Sequence, residues 1–337
     1  MQHFRLSFLV TLICIVLSYL WAGAYGAFIT AILGILEVSL SFDNAVVNAS
    51  ILKRMDDKWQ QYFLTWGILV AVFGMRLLFP IAIVAVATGI SFAGVTDMAL
   101  NDTETYAQHL MASHIQIAAF GGMFLLMVFF SFIFDEGKDL HWLGYIEEKL
   151  ASWGKLEAIE VIVALSLLLT VQGLLPEDVR LEALVSGVFG VILFVVVDSL
   201  AALFEDGEEG DAVSGLVKKA GMMSFIYLEV LDASFSFDGV IGAFAITQDV
   251  VIIMLGLAMG AMFVRSLTVY LVRQGTLDEY IFLEHGAHYA IGVLAAIMLI
   301  SMKVHVSEVI TGLAGALLIA LSVYSSIQYK KNTENNN

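Results

Sequence analysis

The sequence predicts an all-α, polytopic helical membrane protein of about ten transmembrane helices with an inverted internal repeat. Three observations carry that prediction. Of the 337 residues, 60% are hydrophobic and only 14% are charged, a balance typical of chains that live in a bilayer. Apolar runs of the ~20 residues needed to cross a membrane follow one another along the chain, without the short alternating segments of a β-barrel. Inside these runs one acidic phrase is written twice. Glu37-Val38-Ser39-Leu40-Ser41-Phe42-Asp43-Asn44 aligns with Asp232-Ala233-Ser234-Phe235-Ser236-Phe237-Asp238-Gly239 at a constant offset of 195.

Taken in order, His3 and Arg5 precede an apolar run from Leu6 to Trp21 that ends in Ala22-Gly23-Ala24. A signal peptide has the same layout, but the length favours an uncleaved first span. The second span, about 24–52, carries the first phrase and exceeds the ~20 residues needed to cross, so it is tilted or broken. The third, about 60–88, contains Arg76 and Pro80. A loop over 91–110 and a fourth span, about 113–134, complete a first repeat, 24–134. Residues 135–219 connect: an interfacial helix with Trp142, Tyr145 and Trp153 among Lys138, Lys149 and Lys155, then spans near 157–175 and 181–204. The second repeat, 220–327, holds an overlong seventh span with the second phrase. An eighth follows at about 250–272 with Arg265, then a ninth and a tenth. A single membrane domain thus absorbs the whole of 1–337.

Basic residues orient the spans. With the N-terminus inside, the inside loops hold Arg5, Lys53, Arg54, Lys58, Lys138, Lys149, Lys155, Lys218, Lys219, Arg273, Lys330 and Lys331, and the outside loops only Arg180 and Lys303. Twelve against two places both termini in the cytoplasm. The second and seventh spans then run in opposite directions. Gly67 and Arg76 in the third span also match Gly256 and Arg265 in the eighth, each pair nine residues apart. Inverted repeats meeting at overlong helices are the architecture of secondary transporters, with the site near the midplane.

An ionised carboxylate inside a membrane costs several kcal/mol unless it faces a partner or a cavity. The candidate metal ligands are therefore Glu37, Asp43, Asn44, Asp232 and Asp238. Ser41, Asn48, Ser236 and Glu229 stand behind them, and Arg76 and Arg265 are either fixed counter-ions or snorkelling residues. Glu37, Ser41, Asn44 and Asn48 share one helical face, with Asp43 about 120° away. An unwinding near Asp43-Asn44 and Asp238-Gly239 would turn both aspartates inward. Such oxygen donors suit Mn²⁺, Ca²⁺ and Mg²⁺ rather than Cu⁺ or Zn²⁺. Cys14 is the only cysteine, so intrachain disulfides and multi-thiolate sites are excluded, and the net charge of −16 argues against nucleic acid. Glu284-His285-x-x-His288 has ligand-like spacing that placement at an interface explains equally well. Buried polar contacts locking helices together are the bland alternative for the phrases. A membrane aspartyl dyad of Asp43 and Asp238 is a remote one, lacking the Gly-x-Gly-Asp context of such proteases. No enzyme activity and no prosthetic group are expected.

The paired motifs Glu37-x-x-Leu40-Ser41-x-Asp43-Asn44 and Asp232-x-x-Phe235-x-x-Asp238 resemble those of TerC family integral membrane proteins, and within them a long bacterial branch first catalogued as a domain of unknown function. Where that family commonly has Asp-Ser-Ile-Pro-Ala, this chain has Asp238-Gly239-Val240-Ile241-Gly242. The resemblance implies a fold related to the amino-acid exporter superfamily and divalent metal handling, most often Mn²⁺ export, with Ca²⁺ transport, as in a Ca²⁺/H⁺ exchanger, in some relatives. It also leaves room for an accessory protein that delivers metal to exported enzymes through partner membrane proteins, or for a homo-oligomer. The cation is then cargo, and the bilayer the other partner.

Overall fold

The computed structural model is helical, with no strand among the described residues, which are 4–70, 74, 76, 78–205, 213–304 and 306–335; the side chains at 64, 68, 87, 201–220, 236–238, 241, 245, 308, 309, 334 and 335 lie outside that description. Helix covers most of each of the ten expected spans. Among the described residues, six helices are long and apolar enough to cross a membrane, and a seventh span arises if a bent pair is counted as one. The chain is a polytopic helical membrane protein. It gathers into two compact units, Met1–His114 with Glu208–Gln274, and Ile115–Gly207 with Gly275–Asn337.

The first unit opens with α1 (Arg5–Leu40), whose 36 residues are two rods joined at Ala22 (φ −132°, ψ 19°) and Gly23 (φ 67°, ψ −158°). Gly23 lies in a region that a side chain would disfavour, so the reversal sits where glycine permits it. The first rod runs antiparallel to α12 (Val250–Arg273): Ser7 Oγ donates to Met262 O at 2.8 Å, while Trp21 Nε1 donates to Asp249 Oδ2 at 3.0 Å, before the start of α12. The second rod runs parallel to α12, with Leu33 against Gly256 and Glu37 against Gly260. A Cβ on Gly256 would stand 2.5 Å from Leu33 Cβ, and one on Gly260 would collide with Glu37 Cβ and Cγ. The Gly256-x-x-x-Gly260 spacing therefore sets how closely these helices approach, as small residues do in membranes where lipid offers no hydrophobic drive.

After a break at Ser41 come α2 (Phe42–Arg54) and α3 (Asp57–Leu69), the latter capped by Asp56 Oδ1 accepting from Trp59 N–H at 2.9 Å. Val70, Gly74, Arg76 and Leu78 have π-helical backbone before α4 (Phe79–Thr88), which has a proline in its first turn and ends at Gly89 (φ 71°). The 91–110 stretch expected as a loop is instead α5 (Phe92–Asn101) and α6 (Thr103–Ala112). Ser91 and Asp102 cap them, accepting from Gly94 and Thr105 N–H, and their buried faces present Val95, Ala99, Tyr106 and Leu110. Then α11 (Val213–Ile246) runs unbroken, and Asp249 caps α12 through the N–H groups of Val251 and Ile252. Leu52, Met55, Phe63 and Leu228 form a dry cluster joining α2, α3 and α11.

In the second unit are α7 (His114–Ile133), α8 (Tyr145–Ala151) with a 3₁₀ turn Ser152–Lys155, α9 (Ile159–Gly173) and α10 (Glu177–Glu205). The short α13 (Thr276–Glu279), α14 (Leu283–Ser301) and α15 (Glu308–Asn335) complete it. The interfacial helix expected over 135–155 is confined to 145–155; turns occupy 135–144, with Gly144 at φ 57°. Residues Tyr145–Lys155 bend by 104° from α9, which lays them across the membrane normal if α9 spans, with Tyr145, Ile146 and Trp153 exposed.

Candidate functional site

Among the described residues of the first unit, the buried carboxylates and arginines lie on the two phrase-bearing spans and on the spans that follow them. Glu37 lies near Gly239, while Leu52 lies near Leu228. Sequence number rises along one phrase-bearing helix as it falls along the other, so they are antiparallel. Glu37 Oε2 approaches the backbone of Gly239, where a Cβ would stand 2.7 Å from that oxygen. Gly239 does not break its helix, contrary to the unwinding expected near Asp238-Gly239. It makes room for a carboxylate from the other phrase.

The break in the first phrase falls at Ser41 (φ −103°, ψ 21°), two residues before the place expected from sequence. Ser41 N–H still donates to Glu37 O, and Ala45 N–H to Ser41 O, but Asn44 N–H turns to Asp43 Oδ1 at 3.0 Å. In an unbroken helix Asp43 would share a face with Ser39, four residues earlier. Instead Ser39 is exposed while Asp43 is buried. Asp43, Asn44 and Asn48 are all buried because α2 is enclosed on every side, so the single polar stripe read from periodicity does not describe it. Asp43 also lies in the first turn of α2, where the helix dipole favours an anion. The second phrase behaves differently: α11 is continuous through Asp238 and Gly239. The side chains of Asp238 and Ser236 lie outside the described residues.

Both arginines are counter-ions rather than snorkelling residues. Arg76 is 5% exposed and its Nη2 lies 2.5 Å from Glu37 Oε1, an oxygen to which Ser41 Oγ also donates at 3.4 Å. Arg265 is 4% exposed; it donates through Nη2 to Glu229 Oε1 (3.0 Å) and Oε2 (3.2 Å), and through Nη1 to Phe63 O (2.7 Å). Its guanidinium carbon lies 4.1 Å from the Phe63 ring centroid, and Asp232 Oδ2 is 3.8 Å from Nη2. A Cβ on Gly67 would collide with Arg265 Nη1, so the Gly67 found by internal matching clears space for this network. Each arginine thus pairs with a carboxylate on the span before it.

The formal charges are instructive. Glu37, Asp43, Glu229 and Asp232 are buried, against the buried Arg76 and Arg265, leaving two negative charges before Asp238 is counted. An excess of buried charge asks for a cation or for protons. Asn48 Oδ1 is buried without a hydrogen-bond partner, a further oxygen with acceptor capacity to spare. Among the described residues, no three His, Cys, Asp or Glu side chains are grouped closely enough to hold a metal ion. Glu37, Glu229 and Asp232 each lie against an arginine.

A profile of the DUF475 family, described as "Protein of unknown function (DUF475)", matches residues 42–333. The chain belongs to the DUF475 family. This DUF475 chain is also similar to the "Uncharacterized membrane protein YceF" of Bacillus subtilis (strain 168), 28% identical over 182 residues, which span 43% of this chain and 70% of that relative. No solved structure matches it. The family match begins at Phe42, so it takes in Asp43, Arg76, both second-phrase acids and Arg265, while Glu37 precedes it.

In the second unit, the Glu284-His285-x-x-His288 motif is built into packing. His285 Nε2 lies 2.9 Å from Leu140 O and 3.4 Å from Glu147 Oε1; His288 Nδ1 lies 2.9 Å from Glu284 O, and its ring stacks on Phe132 at 4.0 Å. Glu147 is fully buried, with Lys138 Nζ at 2.6 Å and Leu143 N–H donating at 3.1 Å. Burial alone would push its carboxyl up; the Lys138 and Leu143 hydrogen bonds, with the charges of Lys138 and His285, hold it below the ordinary carboxylate range. These contacts fasten 135–151 to α14.

Proposed function

We propose that this protein is a secondary transporter of divalent cations, of TerC type, and that its cargo is Mn²⁺ leaving the cytoplasm. The observation that carries the reading is the meeting of two antiparallel acidic phrases in one buried place, with carboxylates outnumbering arginines there. A divalent ion must exchange its water for oxygen ligands, and compensating that loss takes carboxylate charge, which this place holds in excess. Asp43, at the N-terminus of a broken helix, and Asp238, beside the Gly239 backbone that Glu37 touches, are the ligands of the cation; Asn44 and Asn48 lend amide oxygens. Glu37 and Asp232 sit beside them, each next to a buried arginine.

Oxygen donors favour Mn²⁺ or Ca²⁺, and Mg²⁺ less, because Mg²⁺ gives up its water reluctantly. Choosing Mn²⁺ over Ca²⁺, and export over import, follows from the TerC resemblance, since an inverted repeat serves either direction. A deletion strain grown in excess manganese tests both choices. Export predicts growth inhibition with raised cell manganese, cured by the wild-type gene and not by Asp43→Asn. A strain that holds normal manganese and grows normally rules out manganese export.

A further inference from the structure

We infer that Glu37 supplies, from the opposite phrase, the oxygen ligand that Gly239 lacks: its Oε2 stands at the second half of the cation site where Asn44 places an amide at the first. This deepens the cation-transport reading above and rests on it.

The offset of 195 pairs Glu37 with Asp232 and Asn44 with Gly239. An inverted repeat that brings Glu37 to Gly239 relates that contact to one between Asp232 and Asn44. The two pairs differ in complementary ways. Where the acid is glutamate, the residue it meets has no side chain. Where the acid is aspartate, one methylene shorter, the matching residue carries an amide. The two changes offset each other in length, and an oxygen donor is kept at both places.

The packing shows how Glu37 crosses to α11. It is buried, and its side chain runs between two glycines. A Cβ on Gly260 would collide with Glu37 Cβ and Cγ, and one on Gly239 would stand 2.7 Å from Glu37 Oε2. Gly260 thus clears the base of the side chain and Gly239 its head. At the same offset Gly260 matches Thr65, which is exposed, so the space at the base is particular to Glu37. Ser41 Oγ and Arg76 Nη2 both donate to Glu37 Oε1, which leaves Oε2 as the oxygen presented to Gly239. Asp232 lies instead against Arg265, with Oδ2 3.8 Å from Nη2. A carboxylate in place of an amide adds a negative charge to the second half, which favours a divalent cargo over a monovalent one.

Rewriting the second pair as a copy of the first tests the inference. Mn²⁺ binding to the purified full-length protein in detergent is measured by calorimetry, beside the melting temperature, for wild type, Gly239→Asn, Glu37→Asp and the double variant. Gly239→Asn fills the place of Oε2 and Glu37→Asp withdraws it, so each should weaken Mn²⁺ binding at least about tenfold. The double variant restores a short acid facing an amide, and should bind within about threefold of wild type. Should Gly239→Asn fail to fold, Gly239→Ala takes its place: its Cβ meets the same oxygen, and adding Glu37→Asp should recover the binding it costs. Single variants that bind Mn²⁺ like wild type, whether or not they melt earlier, make the pair a packing contact and overturn the inference. A double variant no tighter than the tighter of its parents overturns it too. Either result leaves the transport reading standing, whereas a wild-type protein that binds neither Mn²⁺ nor Ca²⁺ overturns both.

Discussion

Removing Arg265 is the perturbation whose cost the structure specifies best. Its side chain is buried and serves Glu229 twice, Phe63 O once and the Phe63 ring, with Asp232 nearby. Arg265→Met keeps most of the volume and removes the charge. Glu229 is then a buried carboxylate without its partner, worth about 3–5 kcal/mol of destabilisation, and Phe63 O loses a donor for about 1–3 kcal/mol more. A combined loss of about 4–8 kcal/mol is a large part of the stability of any domain, so the single variant should unfold or misassemble. The informative comparison is Arg265→Met with Glu229→Leu in the same chain. With both charges gone the penalty for the bare carboxylate disappears, and the coupling in a double-mutant cycle should reach about 2–3 kcal/mol. Thermal unfolding in detergent, followed by intrinsic fluorescence and size exclusion, reads all four proteins. If the single variant melts with wild type, or the double variant is no better than the single, Arg265 is not the counter-ion that holds Glu229.

Three further outcomes follow from the packing. Gly260→Leu should separate α1 from α12, because even its Cβ collides with Glu37, and it should cost at least the 1–3 kcal/mol typical of an overpacked core, read as a lowered melting temperature. Gly239→Val should keep the helix yet displace the Glu37 carboxylate, lowering Mn²⁺ affinity with little loss of stability, since the group it meets is the far end of a flexible side chain; unchanged affinity would remove Glu37 Oε2 from the site. Glu147→Gln should destabilise the second unit in a pH-dependent way. Its folded pKa lies below the unfolded value of about 4.3, so its contribution is present above that pH and is lost as pH falls through the folded pKa. The gap between wild type and Glu147→Gln in melting temperature should be flat near neutrality and close in acid; a gap that widens in acid contradicts the ion pair.

Much of this was readable in the residues. Hydropathy gave the spans, because a bilayer demands long apolar helices. Internal matching at an offset of 195 located the two phrases, and Gly67/Arg76 with Gly256/Arg265 located both counter-ions. What periodicity misplaced was local. The first break falls at Ser41, where no glycine or proline marks it, and the second phrase has no break, because Gly239 serves close approach instead. Helices α5 and α6 were hidden by their acidic, uneven composition, although Ser91 and Asp102 are ordinary capping residues with visible spacing. The Gly256-x-x-x-Gly260 spacing is legible in the sequence as a small-residue pair on one helix face. The contact between Glu37 and Gly239 was not, since it joins residues 202 positions apart through tertiary packing alone.

The central claim is that the paired phrases carry a divalent cation through the membrane. Flux of radioactive manganese in liposomes containing only this protein tests it most directly, with Asp43→Asn and Asp238→Asn as controls that keep shape and lose charge. Wild type should move Mn²⁺ down an imposed gradient, and either substitution should stop it while the protein remains folded and inserted. Liposomes that stay impermeable to Mn²⁺ and Ca²⁺ with wild type, or flux that survives both substitutions, would contradict the account.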